Sequence, residues 1–337
     1  MKYRAPFWLP GGNLQTIWPA LLSRRSSGEP PSYQRQRLST PDGDFVDVDW
    51  LIRDQGVSAS ETLLVLFHGL EGSSRSHYAE AFADYATAQG IDYVVPHFRG
   101  CSGELNLAPR AYHSGDFEEI GWFLQTLKAF HLARGGKQVL GVGISLGGNA
   151  LLRWAEEMGE SASTVVKAVA AVCSPVDLEA CGRAIGKGFN RHVYTRMFLQ
   201  SMKPKAMRKL AQHPGLFDAQ ALMTAKDLYE FDNVFTAPLH GFKGTEDYWF
   251  RASAKPHLRQ IKIPALVVNA LNDPFVPAQS LPDAKEAGPF VTLWRPRTGG
   301  HVGFLQGWIP GHLRAMPQLV GDWLRQNVSL SERLNHG

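Results

Sequence analysis

"GVGISLGGNA", residues 141–150, closes an apolar run and opens a helix-like segment, and its reading decides the fold. Its crowded glycines first invite a phosphate-binding reading. The dinucleotide pattern G-x-G-x-x-G would begin at Gly141 and Gly143, but its third glycine position holds Leu146. The phosphate loop G-x-x-x-x-G-K-[ST] aligns as Gly143 to Gly148, but Asn149 and Ala150 then stand where phosphate and magnesium need a lysine and a hydroxyl. The pattern G-x-S-x-G is complete in Gly143, Ser145 and Gly147. Between a strand and a helix it makes a sharp turn that exposes the serine oxygen and aims the helix's free N–H groups at a reacting carbonyl.

The surroundings supply that strand and that helix. "KQVLGVGI" (137–144) reads as a buried strand, and 147–158 as the following helix. Upstream, "VDVDW" (46–50) alternates as a half-exposed strand should, with Val46, Val48 and Trp50 on one face. "TLLVLF" (62–67) is continuously apolar, as a strand buried on both faces requires. A helix over 76–88, a strand "IDYVVP" (91–96), a helix over 116–131 and a strand "VVKAVAAV" (165–172) complete the first part. Such alternation predicts a mostly parallel sheet with helices on both faces. After "SPVDL" (174–178) the rhythm stops. Short helices broken by glycine and proline extend to about 257, then strands "ALVVNA" (265–270) and "FVTLW" (290–294) and a closing helix over 312–326 return. One domain over 1–337 follows, with an N-terminal arm (1–43), a core (44–178 and 258–337) and a helical lid (179–257) inserted after the sixth strand.

A serine nucleophile needs a base, and the base an orienting acid, in the chain order Ser, Asp or Glu, His. Asp273 in "VVNALNDPFVP" lies just past an apolar strand, and His301 in "RTGGHVGF" follows the next one. Asp177 is a rival acid. His68, His97 and His113 are rival bases, but all three precede the serine. "LFHGLEG" (66–72) leaves the buried strand 62–67 and offers the Leu70 N–H as one oxyanion donor, with the Leu146 N–H as the second.

Composition narrows the class. With 44% hydrophobic and 20% charged residues the chain is globular, not disordered, and a net charge of +4 is too small to imply nucleic-acid binding. Three cysteines, Cys101, Cys173 and Cys181, lack metal-ligand spacing and read as free thiols in a reducing, cytoplasmic compartment. No metal or organic cofactor is required.

With elbow, acid, base and oxyanion loop in place, the chain resembles the α/β-hydrolase superfamily over about residues 40–327. "GGNLQT" (11–16), "FRGCSGELN" (98–106), "RAYHSGD" (110–116), "FDNVFTAPLHGF" (231–242) and "DYW" (247–249) are similar to its YheT-like branch, also called hydrolase family four. That branch includes bacterial esterases and yeast medium-chain ester synthases. "DYW" departs from the branch, which carries a second tyrosine there. The resemblance implies a serine carboxylesterase acting on acyl esters, with Ser145, Asp273 and His301 as the charge-relay set. Alternatives are an acyltransferase that passes the acyl group to an alcohol, and a ligand-binding relic of a hydrolase.

Two features stand outside this assignment. Residues 182–215 carry eight Lys or Arg and no Asp or Glu, which reads as a solvated helix face or as a field that steers anionic acyl substrates or meets anionic lipid. In "GGNLQT", Asn13, Gln15 and Thr16 either orient the serine region or tie down the edge of the fold, the second being favoured.

Overall fold

The computed structural model describes residues 1–53 and 59–335. Eight strands form one sheet: β1 Tyr33–Ser39, β2 Phe45–Leu51, β3 Thr62–Phe67, β4 Asp92–Pro96, β5 Gln138–Ile144, β6 Ala168–Val172, β7 Ala265–Val268 and β8 Val291–Trp294. Their order across the sheet is β1-β2-β4-β3-β5-β6-β7-β8. β2 pairs antiparallel with β1 and with β4, and all the other pairs are parallel.

Side-chain alternation along β3 builds two cores. Leu63, Val65 and Phe67 pack with α3 (Phe117–Ala133) and α4 (Leu146–Met158) on one face. Leu64 and Leu66 pack on the other with α2 (His77–Gln89) and the closing helix Ala315–Asn335. A strand whose successive residues enter two cores must be apolar throughout, so "TLLVLF" shows no polar face.

The sequence reading did not find β1, because "YQRQRLS" has no apolar face. Its arginines explain both it and β2. Arg35 and Arg37 lie opposite Asp49 and Asp47 in the register and grip them through paired hydrogen bonds of 2.7–3.0 Å. The aspartate face of β2 was read as open to solvent, but both aspartates are buried under this cover. Residues 33–39 of the arm are therefore the sheet's edge strand. The closing helix also starts later than residue 312 and runs past 326.

The topology places a site. The chain passes from β3 outward to β4, then returns across β3 to β5. At that reversal the carboxyl ends of β3 and β5 lie side by side, with Phe67 beside Gly143, and the loops after them diverge to leave a crevice. Between β6 and β7 the chain forms only helices, from α5 (Leu178–Ile185) through Arg196–Gln212 to Thr245–Ala252 and a short 3₁₀ turn Lys255–Gln260. No helix among the described residues is long and apolar enough to cross a membrane.

Candidate active site

Ser145 sits in the crevice, between β5 and α4. Its backbone has φ 51° and ψ −118°, a region that side-chain-bearing residues rarely occupy. The turn is held by the Ser145 N–H, which donates to the Val172 carbonyl at 2.8 Å, and by the Gly148 N–H donating to the Ser145 carbonyl at 3.0 Å. It closes only because of its glycines. A Cβ on Gly143 would lie 2.4 Å from Gly148 Cα, and one on Gly147 would lie 2.4 Å from the His68 carbonyl oxygen.

Asp273 and His301 reach the serine from the loops after β7 and β8. Ser145 Oγ is 3.0 Å from His301 Nε2, and His301 Nδ1 is 2.9 Å from Asp273 Oδ2. The other Asp273 oxygen accepts the Phe275 and Val276 N–H groups at 2.8 and 3.3 Å, which fixes the carboxylate's orientation. The Phe275 ring lies over the imidazole with centroids 4.2 Å apart, shielding it on one side.

The rival residues are occupied elsewhere. Asp177 caps α5 by accepting the Ala180 N–H. His97 is bonded to Asp49 and the Cys101 carbonyl. His113 lines the cleft but stacks against His240. His68 shapes the loop after β3. Burial pushes its pKa down to about 3, so the ring is neutral. Its Nε2 accepts the Phe98 N–H at 3.1 Å, which leaves Nδ1 to donate to the Gly69 carbonyl at 2.7 Å. Gly69 packs against Ser145, and Leu70 follows it into the same cleft as Leu146 and His301. As the first residue of α4, Leu146 has an N–H with no acceptor inside its helix.

The histidine loop is held by a segment that sequence reasoning could not place. The His301 N–H donates to Thr16 Oγ1 at 2.8 Å. Gln15 Oε1 accepts both the Gly299 N–H and Asn272 Nδ2 at 2.9 Å, and Asn272 Oδ1 in turn accepts the Gly300 N–H at 3.1 Å. One amide thus ties the Asp273 loop to the His301 loop, from α1 (Gly12–Leu22) at the far end of the chain. Asn13 accepts a hydrogen bond from Tyr194 OH in the helical segment. The motif "GGNLQT" therefore acts on the histidine and aspartate loops, not on the serine.

Above the crevice lies a cleft with mainly apolar walls. Leu70, Ser145, Leu146 and His301 form its floor, and Leu178, Ile185, Phe198, Met202, Phe231 and Phe235 face them from the helical segment. The basic stretch 182–215 is less open to solvent than its composition implied. Lys205 Nζ lies 2.8 Å from Glu71 Oε1, which also accepts from Tyr112 OH, so a helix over the cleft is bonded to the residue after Leu70. Lys209 Nζ donates to the Asn106 and Ala108 carbonyls, and burial lowers its pKa to about 8. Lys203 binds the Met223 and Ala225 carbonyls, and Arg183 pairs with Glu179.

Among the described residues, Cys173, Asp273 and His301 bring metal-ligand atoms together. They do not suit a cation. Burial holds the Cys173 thiol far above its usual pKa, so it stays protonated, and the Asp273 oxygens are already bonded.

An aspartate, a histidine and a serine in line at the carboxyl end of a mostly parallel sheet point to a class, and residues 62–307 match the family described as the alpha/beta hydrolase fold. The chain belongs to that family. Within it, the chain is 39% identical over 314 residues to "Putative esterase YheT" of Escherichia coli (strain K12), covering 93% of this chain and 89% of that one, and so falls in the YheT-like branch. It is 25% identical over 338 residues to Phospholipase ABHD3 of Homo sapiens, covering 99% and 81% of the two chains. The solved structure of the Pyrococcus furiosus esterase Pf2001 shares the fold, with a TM-score of 0.53 at 15% identity over 93% of this chain and 99% of that one.

Proposed function

We propose that the protein hydrolyses short- to medium-chain carboxylic esters through a serine acyl-enzyme. The observation that carries this reading is the continuous line from Asp273 Oδ2 through His301 to Ser145 Oγ, with contacts of 2.9 and 3.0 Å, at the floor of an apolar cleft. His301 Nε2 takes the Ser145 proton as Oγ attacks the ester carbonyl. The Leu70 and Leu146 N–H groups receive the developing oxyanion. Collapse of the tetrahedral intermediate breaks the bond to the alcohol oxygen, which takes the proton from His301. Water then gives a proton to His301 and attacks the acyl carbonyl. A second collapse releases the acid and returns the proton to Ser145. Asp273 remains ionised, orients the ring and stabilises its charged form. The apolar walls accept the acyl chain, and the helical segment from 179 to 257 acts as their lid. The names of the esterase and phospholipase relatives support ester chemistry.

The test is a panel of p-nitrophenyl esters of increasing acyl length, run with wild type and Ser145→Ala. Wild type is expected to turn over the shorter members, and the variant to lose about 10⁶-fold in kcat. Equal rates for the two proteins would overturn the mechanism.

A further inference from the structure

A second surface, away from the cleft, carries features that ester hydrolysis does not use. The N-terminal segment runs beside residues 298–308: Ala5 N–H donates to Thr298 Oγ1, and Tyr3 OH to the Leu305 carbonyl. Next to it, the loop 306–312 is firmly held. Trp8 Nε1 donates to the Gly307 carbonyl and Trp18 Nε1 to the Pro310 carbonyl, while His312 bridges to both Gln306 and Arg24. This well-supported loop nonetheless points its apolar side chains outward. Trp308 is 79% exposed and Ile309 64%, and Trp308 meets the edge of Phe7, itself 83% exposed. Large side chains fixed in water are a cost without a partner to cover them.

The segments that form this patch carry charge of one sign. Residues 1–10, 21–28 and 304–315 contain Lys2, Arg4, Arg24, Arg25 and Arg314 and no Asp or Glu. Arg25 pairs with Glu80 of α2, and Asp84 of α2 accepts from Ser27. Arg4, Arg24 and Arg314 are exposed and have no ion-pair partner among the described residues. A second copy docked symmetrically here would set these guanidinium groups against their own images. An anionic bilayer answers both features, with indole and phenyl rings entering the headgroup boundary and guanidinium groups meeting lipid phosphates.

We propose that the face formed by Phe7, Trp308 and Ile309 with Arg4, Arg24 and Arg314 docks the protein on an anionic lipid surface. It does so independently of which ester is cleaved. The test is co-sedimentation with vesicles of phosphatidylcholine and phosphatidylglycerol in equal parts, against vesicles of phosphatidylcholine alone. Wild type is expected to partition onto the mixed vesicles at least about tenfold more strongly. The double variant Phe7→Ser/Trp308→Ser should lose that binding, and each of Arg4→Gln, Arg24→Gln and Arg314→Gln should weaken it about fivefold. Thermal melting of each variant reports whether it is folded, and sedimentation needs no turnover, so failure of docking and failure of the esterase reading are separable. Absence of wild-type binding, or equal binding by the folded double variant, would overturn the proposal. So would a wild-type dimer that Trp308→Ser disperses without any vesicle binding, since a second copy would then be the occupant.

Discussion

The two sides of the active site are built by different means. On one side, Ser145 and the Leu70 loop leave adjacent strands β5 and β3, and local backbone geometry places them: a positive φ at Ser145 and close packing at Gly143 and Gly147. On the other side, Asp273 and His301 stand on the loops after β7 and β8. Those loops meet directly through Asn272 and Gly300, and they are held from outside by Gln15 and Thr16, which lie 284 and 285 residues from their partners Gly299 and His301. A nucleophile can be set by a turn. A base must be aimed, and on the proposed reading part of the aim comes from the other end of the chain.

The strongest way to break the second side is at the acid itself. Asp273→Asn removes the charge that stabilises the imidazolium and leaves the ring free to adopt the wrong tautomer, and kcat should fall about 10⁴-fold. A subtler break lies in the arm. Thr16→Val removes the acceptor of the His301 N–H but keeps the shape, and Gln15→Leu removes one of the links between the two loops. Each should lower kcat by about tenfold to a hundredfold with KM little changed, and Thr16→Ser should restore activity. Steady-state kinetics beside thermal melts distinguish this from simple unfolding. If Thr16→Val lost stability but kept its kcat per folded molecule, α1 would only hold the edge of the fold.

The smallest effect is on stability and touches both sides. Burial lowers His68 under the oxyanion loop to about 3, and His77, whose ring reaches the Val302 carbonyl beside His301, to about 4, both from 6.5. The unfolded chain takes up protons at these rings as pH falls through 6.5, whereas the folded chain resists until about 4 and below. The stability they contribute is therefore complete above 6.5 and declines as pH falls from there toward 4. A melting temperature that stayed constant across that window would contradict the neutral, buried assignment.

What could be read in the sequence follows the same division. The elbow was legible because its chemistry lies within five consecutive residues between a strand and a helix. The meeting of Asp273 and His301 with Ser145 was legible because strand ends and chain order constrain which side chains can face the elbow. The strand β1 was not, since its arginines pack on Asp47 and Asp49 and give no apolar period. Nor was the role of Gln15 and Thr16, although "GGNLQT" was visible as a motif, because its partners appear only when the chain ends meet. The basic stretch was legible in part: Arg183, Lys187, Arg191, Arg196 and Arg208 are exposed as a solvated face requires, while Lys205 and Lys209 are bonded to Glu71 and to backbone carbonyls.

Covalent labelling tests the central assignment most directly. Wild-type protein treated with a fluorophosphonate, digested and examined by mass spectrometry should carry the adduct on the peptide containing Ser145, and Ser145→Ala should carry none. A folded wild-type protein that takes up no label, or a Ser145→Ala variant labelled to the same extent, would contradict it.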